Sequence, residues 1–140
     1  MNHLDINRRN FELQSVTYKK VHTKSNEESI EVESKTKDSY HIKDIDNKRV
    51  IIEFKRKNFF EPSVIFDIEI IINLIFPLKQ TNSNVNKEEL KEEIKKEIND
   101  NAGRLLYPAS SISSFIITSL TKSDSKSPLV TTPYPMLDEQ

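Results

Sequence analysis

The sequence has no cysteine and a single glycine, and each scarcity removes a class of chemistry. Without cysteine there is no disulfide staple, no thiolate nucleophile and no cysteine-based metal site. Phosphate-binding loops need several glycines so that backbone N–H groups can approach the anion. Gly103, alone inside a helical pattern, does not supply one. No serine stands in a nucleophile-elbow context. No apolar run is long enough to cross a bilayer: residues 64–76 are the most apolar stretch, yet they are short and include Asp67, Glu69 and Asn73. Residues 1–10 are polar and lack the apolar centre of a signal peptide. The reading is therefore of a cytoplasmic protein without membrane insertion. The net charge of −1 creates no global field toward nucleic acid or anionic lipid.

Sparse catalytic candidates remain. Of His3, His22 and His41, only His22 and His41 could meet, across strands, and a solvent-exposed pair is the plain reading. Asp67 and Glu69 share one strand face and could do acid–base work if buried, but they fit a solvated sheet face better. Residues 54–60, F-K-R-K-N-F-F, interleave bases with aromatics, as a single-strand nucleic-acid binder does. An edge strand guarded by Lys and Arg explains the same run, so nucleic acid is a disfavoured partner. The expectation is a protein that is not an enzyme, with no cofactor and no metal.

What is present is patterned. Hydrophobic residues make up 35% of the chain and charged residues 31%, so the apolar residues are concentrated or part of the chain is tail. Residues 1–10 read as a disordered N-terminal tail. Val16, Tyr18 and Val21 favour strand, residues 30–33 alternate, and Val50, Ile52 and Phe54 share a face. Residues 58–63, with Pro62, read as a hairpin connection. Val64, Phe66, Ile68, Ile70, Ile72, Leu74 and Phe76 then form one wholly apolar strand face, which needs a covering layer. After a polar linker, Asn86 caps a helix with Leu90, Ile94 and Ile98 at i+4 spacing and Lys/Glu on the other face. Pro108 should kink or break it, and Ile112, Phe115, Ile116 and Leu120 resume the spacing. The fold class is α+β: a four-stranded antiparallel sheet followed by a long kinked helix, spanning residues 11–122. Residues 123–140 form an extended Pro/Ser/Thr-rich segment. One helix cannot cover the sheet, and the surplus apolar surface points to self-association or a partner.

Several runs together resemble the SecB protein-export chaperone family. Phe11-Glu12-Leu13-Gln14 with Val16, Tyr18, Lys19 and Val21 is similar to its first strand, and residues 64–76, ending in Ile75-Phe76, to its last. Leu106-Tyr107-Pro108, Ile117-Thr118-Ser119-Leu120 and Ser127-Pro128-Leu129-Val130 resemble its main helix and the Pro-containing segment beyond. The resemblance implies an ATP-independent holdase. It would be a dimer or tetramer, binding unfolded preproteins or other unfolded polypeptide clients in apolar grooves and passing them to the SecA motor.

Client-binding candidates are then Tyr18, Tyr40, Ile42, Phe54, Phe59 and Phe60. Glu69 matches an acidic SecA-contact position, whereas Lys20 and Lys24 stand where the family is acidic and oppose that docking. Ile112, Phe115, Ile116 and Leu120 are the oligomer-interface candidates. The alternative is a dedicated partner-binding accessory protein, such as a toxin–antitoxin chaperone.

Overall fold

The computed structural model describes residues 1–20, 33–61, 66–79, 86–122 and 129–137 of the chain. Four strands form one antiparallel sheet: β1 (Asn10–Lys20), β2 (Glu33–Ile45), β3 (Arg49–Glu61) and β4 (Phe66–Pro77). Their spatial order is β1-β4-β3-β2, so consecutive strands β1 and β2 sit on opposite edges. Two helices follow, α1 (Lys87–Asp100) and α2 (Ala102–Thr121).

The apolar alternation of β4 does what the pattern requires. Phe66, Ile68, Ile70, Ile72, Leu74 and Phe76 are all buried, and register sets Ile72 beside Phe54 and Leu74 beside Ile52. Ile94 and Ile98 of α1, with Leu105, Leu106, Ala109 and Ile117 of α2, close the other side of this core. The opposite sheet face has no covering element among the described residues and carries Lys55, Lys57, Asp67 and Glu69 between half-buried isoleucines.

Four expectations are corrected here. Residues 1–10 are not a loose tail: Leu4 is fully buried and bridges Leu78. The Glu97 carboxylate accepts the successive amides of Asn2, His3 and Leu4 at 2.5–3.2 Å, which ties this segment to α1. The second strand lies at Glu33–Ile45 rather than over residues 30–33, of which 30–32 lie outside the described residues. Residues 58–61 continue β3 instead of turning, while Pro62 to Ile65 lie outside the described residues. Finally, the helix breaks at Asn101, not at Pro108. Asn101 leaves helical geometry at φ −120°, and its amide and side-chain Nδ2 close the end of α1 on Glu97 and Ile98 carbonyls. Pro108 sits inside α2, where its ring removes one backbone bond to the i−4 carbonyl without ending the helix.

Candidate functional site

The most constrained polar centre is buried under α2. Arg56 lies on the core face of β3, in register with Asp38 on β2, and both side chains are wholly buried. Arg56 Nε and Nη2 donate to the two Asp38 carboxylate oxygens, each at 2.8 Å. Such a two-pronged pair is the strong form of a guanidinium–carboxylate contact. The remaining donors turn mostly to backbone. Nη1 donates to Ser110 O at 3.2 Å, Thr132 O at 2.6 Å and the Thr131 hydroxyl at 3.3 Å, and Nη2 to Tyr134 O at 3.0 Å. Asp38 accepts the Met136 amide at 2.7 Å, while its own amide donates to Met136 O at 3.0 Å.

These bonds hold residues 129–137 against the fold as a strap. A ladder on α2 holds the rest of it: Ser110 Oγ donates to Pro133 O at 2.5 Å, Ser114 Oγ to Thr131 O at 2.7 Å, and Thr118 Oγ1 shares its proton between Leu129 O at 3.1 Å and Ser114 O of its own helix at 2.9 Å. Four helical residues advance about 6 Å. Two extended residues advance about 6.6 Å. A hydroxyl on each successive turn therefore meets every second carbonyl of an antiparallel extended segment.

Apolar side chains remain uncovered in two places. Leu13 and Val16 of β1 are in register with Ile72 and Ile70, so they belong to the helix-covered face. Yet Leu13 is 55% exposed, because α2 rests on β3 and β4 and leaves the β1 edge open. The strap fills the β2 side of α2, so the opposite flank, with Ile112 and Ile116, looks toward β1. Beside it Phe115 is 73% exposed. From Leu105 to Thr121 helix α2 has no charged residue, so this outer face is unlike the Lys/Glu face of α1.

The six client candidates do not form one site. Tyr18 and Phe60 gather round Phe66, stacked at 5.5 Å and edge-on at 5.0 Å between ring centroids. Tyr40 pairs with Phe54, Ile42 with Ile52, and the Tyr40 hydroxyl donates to Asn99 Oδ1 at 2.7 Å. Burial pushes the Tyr40 phenol above its ordinary pKa. Phe54 is fully buried, so its candidacy is corrected: it is core beneath the helices. Phe59 points to the opposite face, into an open cleft of about 400 Å³ that Thr17, Lys57, Asp67 and Glu69 also line. Glu69 stands 3.8 Å from Lys57 Nζ, a partly exposed ion pair. Of the two opposing lysines, Lys20 ends β1 and Lys24 lies outside the described residues. Ile112 and Phe115 are exposed; Ile116 and Leu120 are half-buried against the core margin.

The base-and-aromatic run 54–60 is also divided. Phe54, Arg56 and Asn58 face the core and are buried, which leaves Lys55, Lys57 and Phe59 on the uncovered face, where Lys57 and Phe59 line one cleft. The Arg56–Asp38 centre escaped the sequence reading. One signal for it was present: Arg56 has the parity of Val50, Ile52 and Phe54, the apolar face of that strand. Among the described residues no group of three His, Asp or Glu side chains is placed to hold a metal ion, and no helix is long and apolar enough to cross a membrane.

No family model matches the sequence. No curated protein matches it either. Among solved structures, the chain is similar to a SecB-like chaperone of Mycobacterium tuberculosis, determined in complex with a ChAD peptide from the HigA1 antitoxin. The superposition has a TM-score of 0.61 and covers 90% of this chain and 89% of that one, at 9% sequence identity. Sheet order, helix placement and this coverage agree: the chain has the SecB-like α+β fold.

Proposed function

We propose that the protein is a SecB-like, ATP-independent chaperone that binds unfolded polypeptides. The observation that carries this reading is the charge-free outer face of α2, with Phe115 and Ile112 exposed beside the open β1 edge at Leu13 and Val16. Burial of apolar surface contributes about 25 cal/mol per Å², so an extended apolar segment gains affinity there without a nucleotide. Part of this surface serves self-association into a dimer or tetramer, with Ile112, Phe115, Ile116 and Leu120 at the helix contact. Client contact extends to the Tyr18–Phe60–Phe66 cluster. The cytoplasm is the compartment, and preproteins awaiting export are one client class. Glu69 is the candidate contact for a SecA-like motor, although Lys57 beside it and the reversed charges at Lys20 and Lys24 weaken that docking.

Aggregation of a destabilised client, followed by light scattering without ATP, tests the reading. Suppression at stoichiometric ratio is expected; no effect at that ratio sinks it.

A second reading is a dedicated accessory protein for one partner, such as an antitoxin. It is favoured by the peptide-bound SecB-like neighbour. Affinity capture separates the two: a broad client set supports the general holdase, and a single stoichiometric polypeptide supports the dedicated one.

A further inference from the structure

The strap of residues 129–137 is held by its main chain. Ser110, Ser114 and Thr118 donate to the carbonyls of Pro133, Thr131 and Leu129. Arg56 donates to the carbonyls of Thr132 and Tyr134, and Asp38 exchanges bonds with the Met136 amide and carbonyl. One strap side chain joins these hydrogen bonds, through the 3.3 Å contact of Arg56 Nη1 with Thr131 Oγ1. Leu129 and Leu137 turn inward against the core margin, while Val130, Tyr134 and Met136 face outward and are 75%, 63% and 49% exposed. The carbonyls of Leu129, Thr131 and Pro133 face α2, and those of Thr132, Tyr134 and Met136 face Arg56 and Asp38. The Leu129 and Met136 amides donate to Thr121 Oγ1 and Asp38. An extended polypeptide presents main-chain groups at the same spacing. The donors are already in place, fixed on a helix and by a buried ion pair, so an incoming strand needs no rearrangement of the floor.

We propose that the groove between α2 and the β2 edge is a main-chain-reading peptide site, which the chain's own strap occupies as a resident pseudo-client and which an extended polypeptide takes by displacing it. Its occupant is an extended segment with an apolar residue at each end of nine positions, as Leu129 and Leu137 are placed, and a small hydroxyl-bearing or similarly small residue beside Arg56, as Thr131 is. This rests on the chaperone reading for its physiological ligand, but the site itself is independent of it.

The absence of native cysteine allows a reversible test in the full chain. The Tyr107 and Tyr134 rings meet at 5.3 Å without joining the hydroxyl ladder, so Tyr107→Cys with Tyr134→Cys can be closed by oxidation or by a short thiol cross-linker. The probe is a fluorescent synthetic peptide of residues 129–137. The reduced variant is expected to bind it, and the closed variant to bind it at least tenfold more weakly with unchanged solution mass. Replacing Val130 and Met136 in the peptide by serine should alter affinity less than threefold. Equal capture by closed and reduced protein, or capture by neither, overturns the groove proposal. A separate aggregation assay distinguishes the failures. Client protection together with equal peptide capture by closed and reduced protein overturns the groove and leaves the chaperone reading. Lock-sensitive peptide binding without client protection supports the groove and overturns the chaperone reading.

Discussion

Arg56 and Asp38 are two opposite charges removed from water, and neither is affordable without the other. Breaking a buried pair leaves one uncompensated charge and costs about 3–5 kcal/mol, whereas apolar replacement of both is often near neutral. Arg56→Ala and Asp38→Ala should each lower stability by about that amount in urea unfolding. The double variant Arg56→Met/Asp38→Leu should recover most of it but loosen the strap, seen as faster amide exchange at Met136. Asp46 shows a milder residue-scale effect. In the turn between β2 and β3 its carboxylate accepts the Lys48 and Arg49 amides at 2.7 and 2.8 Å. These backbone bonds, that to Lys48 first, hold its pKa below the ordinary value. A depressed folded pKa means stability that is fully present above the unfolded value of about 3.9 and lost as pH falls through the folded one. The Asp46→Asn variant should therefore show a flatter stability profile below about pH 4 than the parent, by urea midpoints across that range.

At the scale of elements, the two helices show what local pattern does and does not decide. Helix α1 is amphipathic, capped by Asn86, whose side chain accepts the Glu88 amide at 3.1 Å. Helix α2 has small hydroxyl residues where a core helix usually carries leucine, and its buried face includes Ser110, Ser113 and Ser114. The strap is the reason for two of them: Ser110 and Ser114 donate to strap carbonyls. Gly103 near the start of α2 has open space around the position of a Cβ. Gly103→Ala should stabilise the protein by about 0.4–1 kcal/mol, through reduced freedom of the unfolded chain, measured as a raised urea midpoint. The strands divide in the same way. Strand β4 was readable because its apolar core side chains alternate from Phe66 to Phe76, with Asn73 the one residue of the other face that is also buried. Strand β2 was not, because at the sheet edge it needs apolar residues only at Tyr40, Ile42 and Ile45, and its polar stretch Lys35–Ser39 resembles a loop until β3 is set beside it.

The whole molecule leaves unfinished surfaces. Strand β1 lies at the edge of the sheet with Leu13 and Val16 exposed, and the α2 face has Phe115 and Ile112 exposed. A lone protomer with both would be prone to aggregate. A solution mass of at least twice 16.3 kDa is the expected state. Phe115→Asp, on an exposed position that does not support the protomer core, should shift the light-scattering mass toward a smaller species while the circular dichroism of the chain stays the same. An unchanged mass would remove α2 from the interface.

Composition and periodicity alone determined the α+β class, the core face of β4, the amphipathic α1 and the poverty of catalytic groups, because each depends on residues close in sequence. Tertiary structure alone decided the remainder. It moved the helix break to Asn101, because side-chain and backbone bonds there terminate α1 while α2 tolerates Pro108. It turned Phe54 from a candidate contact into core and Arg56 from a surface base into a buried anchor, because strand pairing joins residues 18 positions apart. It placed residues 129–137 on a ladder of α2 hydroxyls, a match between helical and extended spacing that appears only when the two segments lie side by side.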